Sequence, residues 1–423
     1  MREMKDSGIE WIGEIPADWK LNKISSLYDE RSIKVSDKDY QPLSVTKQGI
    51  VPQLETAAKT DNGDNRKLIK KNDFVINSRS DRRGSCGISE YDGSCSLINT
   101  VLQPRKHMCN AYYSYVFRSE RFADEFYRWG TGIVDDLWST KWSNMKNIYI
   151  PFPTLEEQQK ISTYLDTKCT KIDSIIEKQE KVIEKLKEYK LSVITEAVTK
   201  GLNSDVKMKD SRHEFIGMIP EHWKVCRLRN IGTPQNGLSK GGDFFGHGYP
   251  FVSYGDIYRN FTLPEKVNGL VETSEEERRQ YSVKTGDIFF TRTSETIEEV
   301  GFSCVCEKTI ENATFAGFVI RVRPFTHDLQ TSFAKYYFRS NHHRYYLVKE
   351  MNLVTRASLG QNLLKSMPVL IPPKSEQHQI ANYLDKKCSA IDKSIEQKQA
   401  IIEKLKEYKK SLIYEVVTGK REV

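Results

Sequence analysis

The sequence predicts an α+β protein with an internal pseudo-two-fold duplication: two globular α+β segments joined by two long helices that form an antiparallel coiled coil. Three observations carry this reading. The stretch Glu156–Thr199 returns near the C-terminus, so that Tyr164-Leu165-Asp166 matches Tyr383-Leu384-Asp385; the shift of 219 positions from 164 to 383 is shared, without a gap, by Glu184 and Glu403. A shorter lead-in motif, DSGIEWIGEIPADWK from Asp6 to Lys20, returns as DSRHEFIGMIPEHWK from Asp210 to Lys224. Between each lead-in motif and its helix lies a segment of short apolar runs followed by a helical stretch. So long a period means duplicated domains, not a solenoid of short repeats. The expected divisions are 1–153 for the first lead-in motif and globular segment, 154–200 for the first long helix, 201–372 for a linker, the second lead-in motif and its segment, and 373–423 for the second long helix and tail.

In chain order, the first segment predicts strands at Gln41–Thr46, Asp73–Asn77, Gly87–Tyr91 and Leu97–Leu102, where apolar runs are bounded by turn residues. One helix is expected from Ala111 to Trp129, and Ile150-Pro151-Phe152-Pro153 reads as an extended exit, because a proline disfavours helix in the residue before it. The first long helix follows. Ile172, Ile176, Ile183, Leu186, Val193 and Ala197 recur three, four or seven apart among Lys, Glu and Gln, the pattern of one apolar helix face. The second segment is 15 residues longer, since the shift from Trp19 to Trp223 is only 204. It repeats the order with GDIFFTR from Gly286, GFSCVCE from Gly301, FAGFVIRVRP from Phe315, a helical run from Ser332 and the exit Ile371-Pro372-Pro373. Its glycine-rich Ser239–Pro250 has neither P-loop nor dinucleotide spacing and reads as a flexible loop. The second long helix carries Ile391, Ile395, Ile402, Leu405, Leu412 and Val416.

Neither long helix contains Gly or Pro, so each can run for about 40 residues, or about 60 Å. A helix that long needs a partner. The expected seam, Ile172, Ile176, Ile183, Leu186 and Val193 against Ile391, Ile395, Ile402, Leu405 and Leu412, would pair the copies antiparallel and put the globular segments at opposite ends. The alternative is that each helix buries its face only on its own neighbouring segment.

The chain of 423 residues has room for two or three domains. It has no long apolar run and no apolar core in its first residues, so a cytoplasmic protein without a membrane segment is expected. Its eight cysteines show no CxxC or zinc-finger spacing and are expected as free thiols; Cys169 and Cys388 are equivalent positions that antiparallel helices would hold apart. The net charge is +8, and its distribution is informative. Lys20–Ile150 holds 21 basic and 16 acidic residues, Lys224–Leu370 holds 19 and 15, and the rest sums to −1. The positive balance therefore lies in the globular segments, as expected if they face a polyanion.

Candidate contacts cluster in loops. Ser78, Arg79, Ser80, Arg82 and Arg83 follow an expected strand; arginine can bond guanine or phosphate, and serine can donate to phosphate. Arg292 and Thr293 begin the equivalent loop, whose glutamates could accept from cytosine or face water. Lys141, in the loop Thr131–Trp142, and Arg356, Gln361 and Asn362, in its counterpart, are further candidates, with Tyr254. Trp138 and Trp142 read as core residues. Each loop also fits a solvated surface turn. No GxxxxGK[ST], adenine-methylating NPPY-type motif, acidic-acidic-lysine nuclease cluster or paired-histidine metal pattern is present, so neither catalytic nor metal-ligating residues are expected. Adjacent His342 and His343 are expected on different helix faces.

SGIEWIGEIPADWK, the exit into EEQQKISTYLDTKCTKIDSII, and the paired endings LKEYKLSVITEAVTKG and LKEYKKSLIYEVVTGK resemble the specificity (S) subunits of type I restriction-modification enzymes. The resemblance spans the chain in architecture, although the variable segments match only in outline. Phe215 stands where the first motif has Trp11, and the terminal glycines, Gly201 and Gly419, are displaced by one. The resemblance implies two target-recognition domains joined by two long conserved helices, each domain reading half of an asymmetric, bipartite double-stranded DNA site in host defence. The helices would fix the gap, and at about 60 Å they exceed a DNA turn of roughly 34 to 36 Å. It further implies a non-catalytic chain that binds no cofactor. Two methyltransferase (M) subunits would use S-adenosylmethionine for DNA methylation at adenine N6, and motor-nuclease (R) subunits would use ATP and Mg²⁺. A coiled-coil scaffold that reads no DNA, and the recognition part of a self-contained restriction-methylation polypeptide, are the alternatives.

Overall fold

In the computed structural model, which describes all residues except Met1, 54–62, 80–81, 106, 134–137, 295–299 and 351–356, FVIN at Phe74–Asn77 is a strand buried along its whole length. Alternation explains how. Phe74 and Ile76 enter one apolar core while Val75 enters another, because successive side chains of a strand point to opposite faces. IFFT at Ile288–Thr291 does the same in the second domain, with Ile288 and Phe290 in one core and Phe289 in another. Each fully buried phenylalanine of these strands contributes about 1.5 to 3 kcal/mol relative to exposure.

Each strand is central in an antiparallel four-stranded sheet, and the two sheets have the same order. The first runs Cys86–Ile88, Phe74–Asn77, Asn99–Pro104, Tyr28–Glu30; the second runs Ser303–Val305, Ile288–Thr291, Val319–Pro324, Gly232–Asn236. A three-stranded sheet accompanies each: Gly93–Cys95, Arg66–Ile69, Lys34–Val35 in the first domain, and Gly269–Val271, Phe245–Val252, Thr314–Phe315 in the second. The proline-containing exits are strands, Tyr149–Phe152 on Lys20–Lys23 and Pro368–Ile371 on Lys224–Arg227.

Four expectations are corrected. The helix expected over Ala111–Trp129 is two helices, Asn110–Arg118 and Glu120–Arg128. Ser119 is extended between them, and its hydroxyl accepts from Phe122 N, capping the second helix without any Gly or Pro to announce the break. Leu97 and Ile98, placed in a strand by their apolarity, form a turn before it. Ser239–Pro250 is largely ordered into the strand Phe245–Val252, where Gly246 and Gly248 take left-handed φ of 94° and 92° around a bulge. His342 and His343 share one environment: both are buried, their ring centroids 4.1 Å apart against Tyr337.

The chain divides into two compact units, Met1–Glu180 with Gln399–Val423, and Lys181–Lys398. Each holds one globular domain and a length of both long helices, which span Leu155–Lys200 and Lys374–Val417. In the first unit, Leu412, Val416 and Val417 of the second helix join Ile161, Leu165 and Ile172 of the first in the core that contains Trp11, Trp19 and Tyr112. Asp173 pairs with Lys409 at 2.6 Å. In the second unit the equivalent pair, Lys190 with Asp392, closes at 2.7 Å. The helix end near Gly201 and the helix start at Glu376 both meet Trp223 there, so the helices run antiparallel. Of the expected seam, Ile172, Ile183, Ile391, Ile395, Ile402 and Leu412 are buried, while Ile176, Leu186, Val193 and Leu405 are half-buried. The neighbouring Ile194 and Val198 are buried instead of Val193 because that part of the face also meets the domain core. The helices thus pair with each other and also pack on a domain.

The repeated residues hold each domain to its helices by the same bonds. Tyr115 Oη donates to Asp166 at 2.6 Å and Tyr336 Oη to Asp385 at 2.7 Å. Gln158 accepts from Cys109 N and Gln377 from Gln330 N, at 2.9 and 2.8 Å. The lead-in tryptophans donate from Nε1 to the first turn of the following helix, Trp19 to Glu157 and Trp223 to Glu376. Trp11 packs on Phe122, and its counterpart Phe215 on Tyr346, so the smaller ring keeps the same role.

Candidate nucleic-acid interface

In the first domain the loop after Phe74–Asn77 is shaped by its own side chains. Asn77 Oδ1 accepts from Arg79 N at 3.0 Å, and Ser78 N donates to Ile98 O at 3.3 Å. Ser78 O in turn accepts from Thr140 N at 2.9 Å, and Arg79 forms an antiparallel bridge with Ser139. Two loops some 60 residues apart in sequence, each a source of candidate contacts, are thereby zipped side by side. They border a groove of about 500 Å³ lined by Ser78, Arg79, Lys141, Lys67, Leu97 and Ile98, with Glu30 as its single carboxylate among the described residues. Lys67 is partly neutralised, 3.4 Å from Glu30 and donating to Asn99 O at 2.9 Å. Arg79 and Lys141 are exposed, and neither side chain has an ion pair or hydrogen bond with any described residue.

The remaining candidates are placed differently. Arg83 does not line the groove; its guanidinium pairs with Asp124 and lies 5.9 Å over Tyr127. Arg82 is exposed on the same loop. Trp138 and Trp142 are half-buried: Trp138 donates to Tyr127 O at 2.9 Å and supports the second loop, and Trp142 lines the groove. Ser80 lies outside the described residues.

The second domain repeats the arrangement at the same register. Arg292 N donates to Phe318 O at 2.9 Å, Leu359 N donates to Arg292 O at 2.7 Å, and Thr293 pairs with Ser358. Arg292 and Thr293 are half-buried, and Arg292 Nη1 also reaches Gly317 O at 3.4 Å. Gln361 and Asn362 open the short helix Gln361–Ser366 just after the zipped segment, with Asn362 exposed. Tyr254 starts a different helix, Tyr254–Arg259, its ring stacked 6.2 Å from Tyr258. Arg356 and the glutamates at 295, 298 and 299 lie outside the described residues.

The second domain's positive balance is not all available to a polyanion. Arg323 pairs with Asp287 at 2.6 Å, and Arg321, itself buried, donates to Ser282 O and Gln235. Arg339 donates to the carbonyls of Ser303, Ile257, Tyr258 and Asn260, and burial pushes its pKa down to about 10. The net-charge argument counted these arginines because a sum over the segment does not separate a buried, paired arginine from an exposed one.

Comparisons with known proteins settle the family. A family model described as "Type I restriction modification DNA specificity domain" matches residues 16–185 and 220–407. The chain belongs to this type I restriction-modification specificity family. It is 25% identical over 328 residues to the EcoKI specificity subunit of Escherichia coli K12, covering 75% of this chain and 68% of that one. The MjaVIII specificity subunit of Methanocaldococcus jannaschii is 24% identical over 96% of this chain and 93% of its own. Among solved structures, a chain from work on complex assembly and conformational transition of the type I R-M system superposes with a TM-score of 0.73 at 14% identity, covering 96% of this chain and 99% of that chain. The HsdS subunit of Thermoanaerobacter tengcongensis gives 0.53 at 14% identity over 96% and 98%. The two model matches fall in the two duplicated halves, so the repeat consists of two copies of this one domain. Among the described residues no helix is long and apolar enough to cross a membrane.

Proposed function

We propose that this chain supplies DNA sequence specificity to a type I restriction-modification complex, each zipped-loop platform reading one half of a bipartite double-stranded site. One observation carries the reading: in both domains the same two loops are locked at the same register, and in the first domain they border a groove with two cations that have no partner among the described residues. Arg79 and Lys141 hold phosphate, which positions the duplex, while neighbouring loop side chains reach base edges, which specifies sequence. In the second domain Arg292, Thr293, Gln361 and Asn362 occupy the equivalent region. Different residues on equivalent platforms make the half-sites different, and the paired helices fix the gap between them.

The chain itself does no chemistry in this proposal. Two methyltransferase subunits dock on the exposed faces of the paired helices and carry S-adenosylmethionine; translocase-nuclease subunits carry ATP and Mg²⁺. Adenine methylation requires the base to be flipped out, so this chain holds the duplex while its partner opens it.

Single-molecule sequencing of genomic DNA from cells expressing the chain with its methyltransferase subunit, against cells lacking only the chain, tests the proposal. The expected result is N6-methyladenine at one split motif with a constant unspecified gap. Methylation that is absent, or unchanged when the chain is removed, while the complex co-purifies intact, would refute it.

A further inference from the structure

The platforms share one more feature, and it is apolar. In the first domain Ser96, Leu97, Ile98 and Asn99 form a tight turn closed by Asn99 N donating to Ser96 O at 3.0 Å. In the second, Ala316, Gly317, Phe318 and Val319 form the same turn, closed by Val319 N donating to Ala316 O at 3.0 Å. The third residue of each turn, Ile98 or Phe318, accepts at its carbonyl from the residue that opens the zipped loop, Ser78 or Arg292. The backbone is thus tied at both ends of the turn, and the side chain is left outside. Ile98 is 36% exposed beside Leu97 at 40%, and Phe318 is 65% exposed.

A single exposed apolar side chain is ordinary on a protein surface. The recurrence is what needs a cause: two turns of unlike sequence, SLIN and AGFV, each present an apolar side chain at the same position, held against the loop assigned to DNA. In the first domain Leu97 and Ile98 line the groove that Arg79 and Lys141 make cationic. Such a side chain gains nothing from phosphate. On the base edges of the major groove the apolar feature is the 5-methyl group of thymine, which aliphatic and aromatic side chains can cover.

We infer that Ile98 and Phe318 are specificity-determining residues, each covering the 5-methyl group of a thymine in the half-site read by its own platform. The inference rests on the DNA-reading function proposed above. It makes the neighbouring loops the polar readers and the turn the apolar reader of one composite surface, with Leu97 widening the patch in the first domain.

The test uses the full chain in complex with its methyltransferase subunit and duplexes carrying the methylated motif, with each thymine of the half-sites replaced in turn by deoxyuridine, which lacks only the methyl. In competition binding, one thymine in each half-site should show a loss of about fourfold on replacement, the worth of one buried carbon group. Phe318→Ala should abolish the dependence in one half-site and leave the other intact, Ile98→Ala should do the reverse, and Phe318→Leu should retain it. Both side chains are substantially exposed, so these variants are expected to fold. The inference is overturned if wild type is indifferent to every replacement, if the alanine variants keep the dependence, if a half-site holds no thymine, or if Phe318→Ala weakens thymine and uracil duplexes equally, as a wedge between base pairs would. A wild-type complex that does not distinguish the motif from a scrambled duplex would instead sink the DNA-reading function itself.

Discussion

Replacing Arg79 and Lys141 together by alanine removes the two groove cations that have no partner among the described residues. Lys67 is partly spent on Glu30, and Arg83 on Asp124, so neither can substitute fully. Each phosphate neutralised by a cation steepens the fall of affinity with salt by about 0.9 in a double-logarithmic plot, because it releases condensed counterions. The double variant of the assembled complex should therefore show a slope shallower by about 1.8, each single variant by about 0.9. Between about 50 and 200 mM salt, a fourfold change, wild type should lose about twelvefold more affinity than the double variant. Fluorescence anisotropy of a labelled duplex over a salt series reads this directly. Arg83→Ala is the internal control and should change the slope by much less. An unchanged slope in the double variant, or a larger change in Arg83→Ala, would refute the assignment of the groove to the phosphate backbone.

Three further outcomes follow from named contacts. His342 and His343 are buried beside Ser340 and Tyr337, and burial pushes His342 down to about 3 and His343 well below its usual value. A depressed folded pKa gives stability that is present above the unfolded value near 6.5 and lost as pH falls toward the folded one, so urea unfolding should show about 2 kcal/mol lost to His342 by pH 5, with a further loss from His343; a His342→Asn variant with an unchanged acid slope would exclude that residue. Gly419→Ala should cost about 2 to 4 kcal/mol, because φ is +74° and a Cβ would stand 2.4 Å from Pro16 Cδ, whereas Gly8→Ala, at φ +71° with nothing within 4 Å, should cost only about 1 for the backbone; equal costs in urea unfolding would remove the packing role. All eight cysteines are free, and burial pushes Cys86, Cys95 and Cys306 up to about 12, so a thiol reagent should modify these three only after denaturant is added.

The duplication and the long helices were legible because helix periodicity and repetition are local properties of the sequence. The seam was readable along the part of the helices outside the domain cores, as at Ile183 and Ile402, and blurred where a helix also meets a domain, as at Ile194 and Val198. Long-range contacts decided the rest. Nothing near Ser119 announces a helix break, since a serine caps as well as continues, and the adjacent histidines are brought together by Tyr337, not by helix geometry. The candidate loops were identified as loops, yet which arginine is paired and which lines the groove depended on Asp124, 41 positions beyond Arg83, and on a backbone zipper between segments 60 apart. Leu97 and Ile98 were hidden by their own apolarity, which made a turn look like strand.

The duplicated contacts also explain how one chain can carry two different readers. Tyr115–Asp166 and Tyr336–Asp385, Gln158 and Gln377, Trp19 and Trp223 all join a domain to helix, and Asp173–Lys409 and Lys190–Asp392 join helix to helix. None involves the platform. Within the domains even a shared carboxylate is satisfied differently: Asp73 takes Arg31, while Asp287, at the equivalent place, takes Arg323 from another strand. Because the zipper and the turn are held by backbone hydrogen bonds, their side chains can change without moving the surface that presents them. A platform built this way separates holding from reading: the repeated residues fix where it stands, and the unrepeated ones remain free to choose the bases.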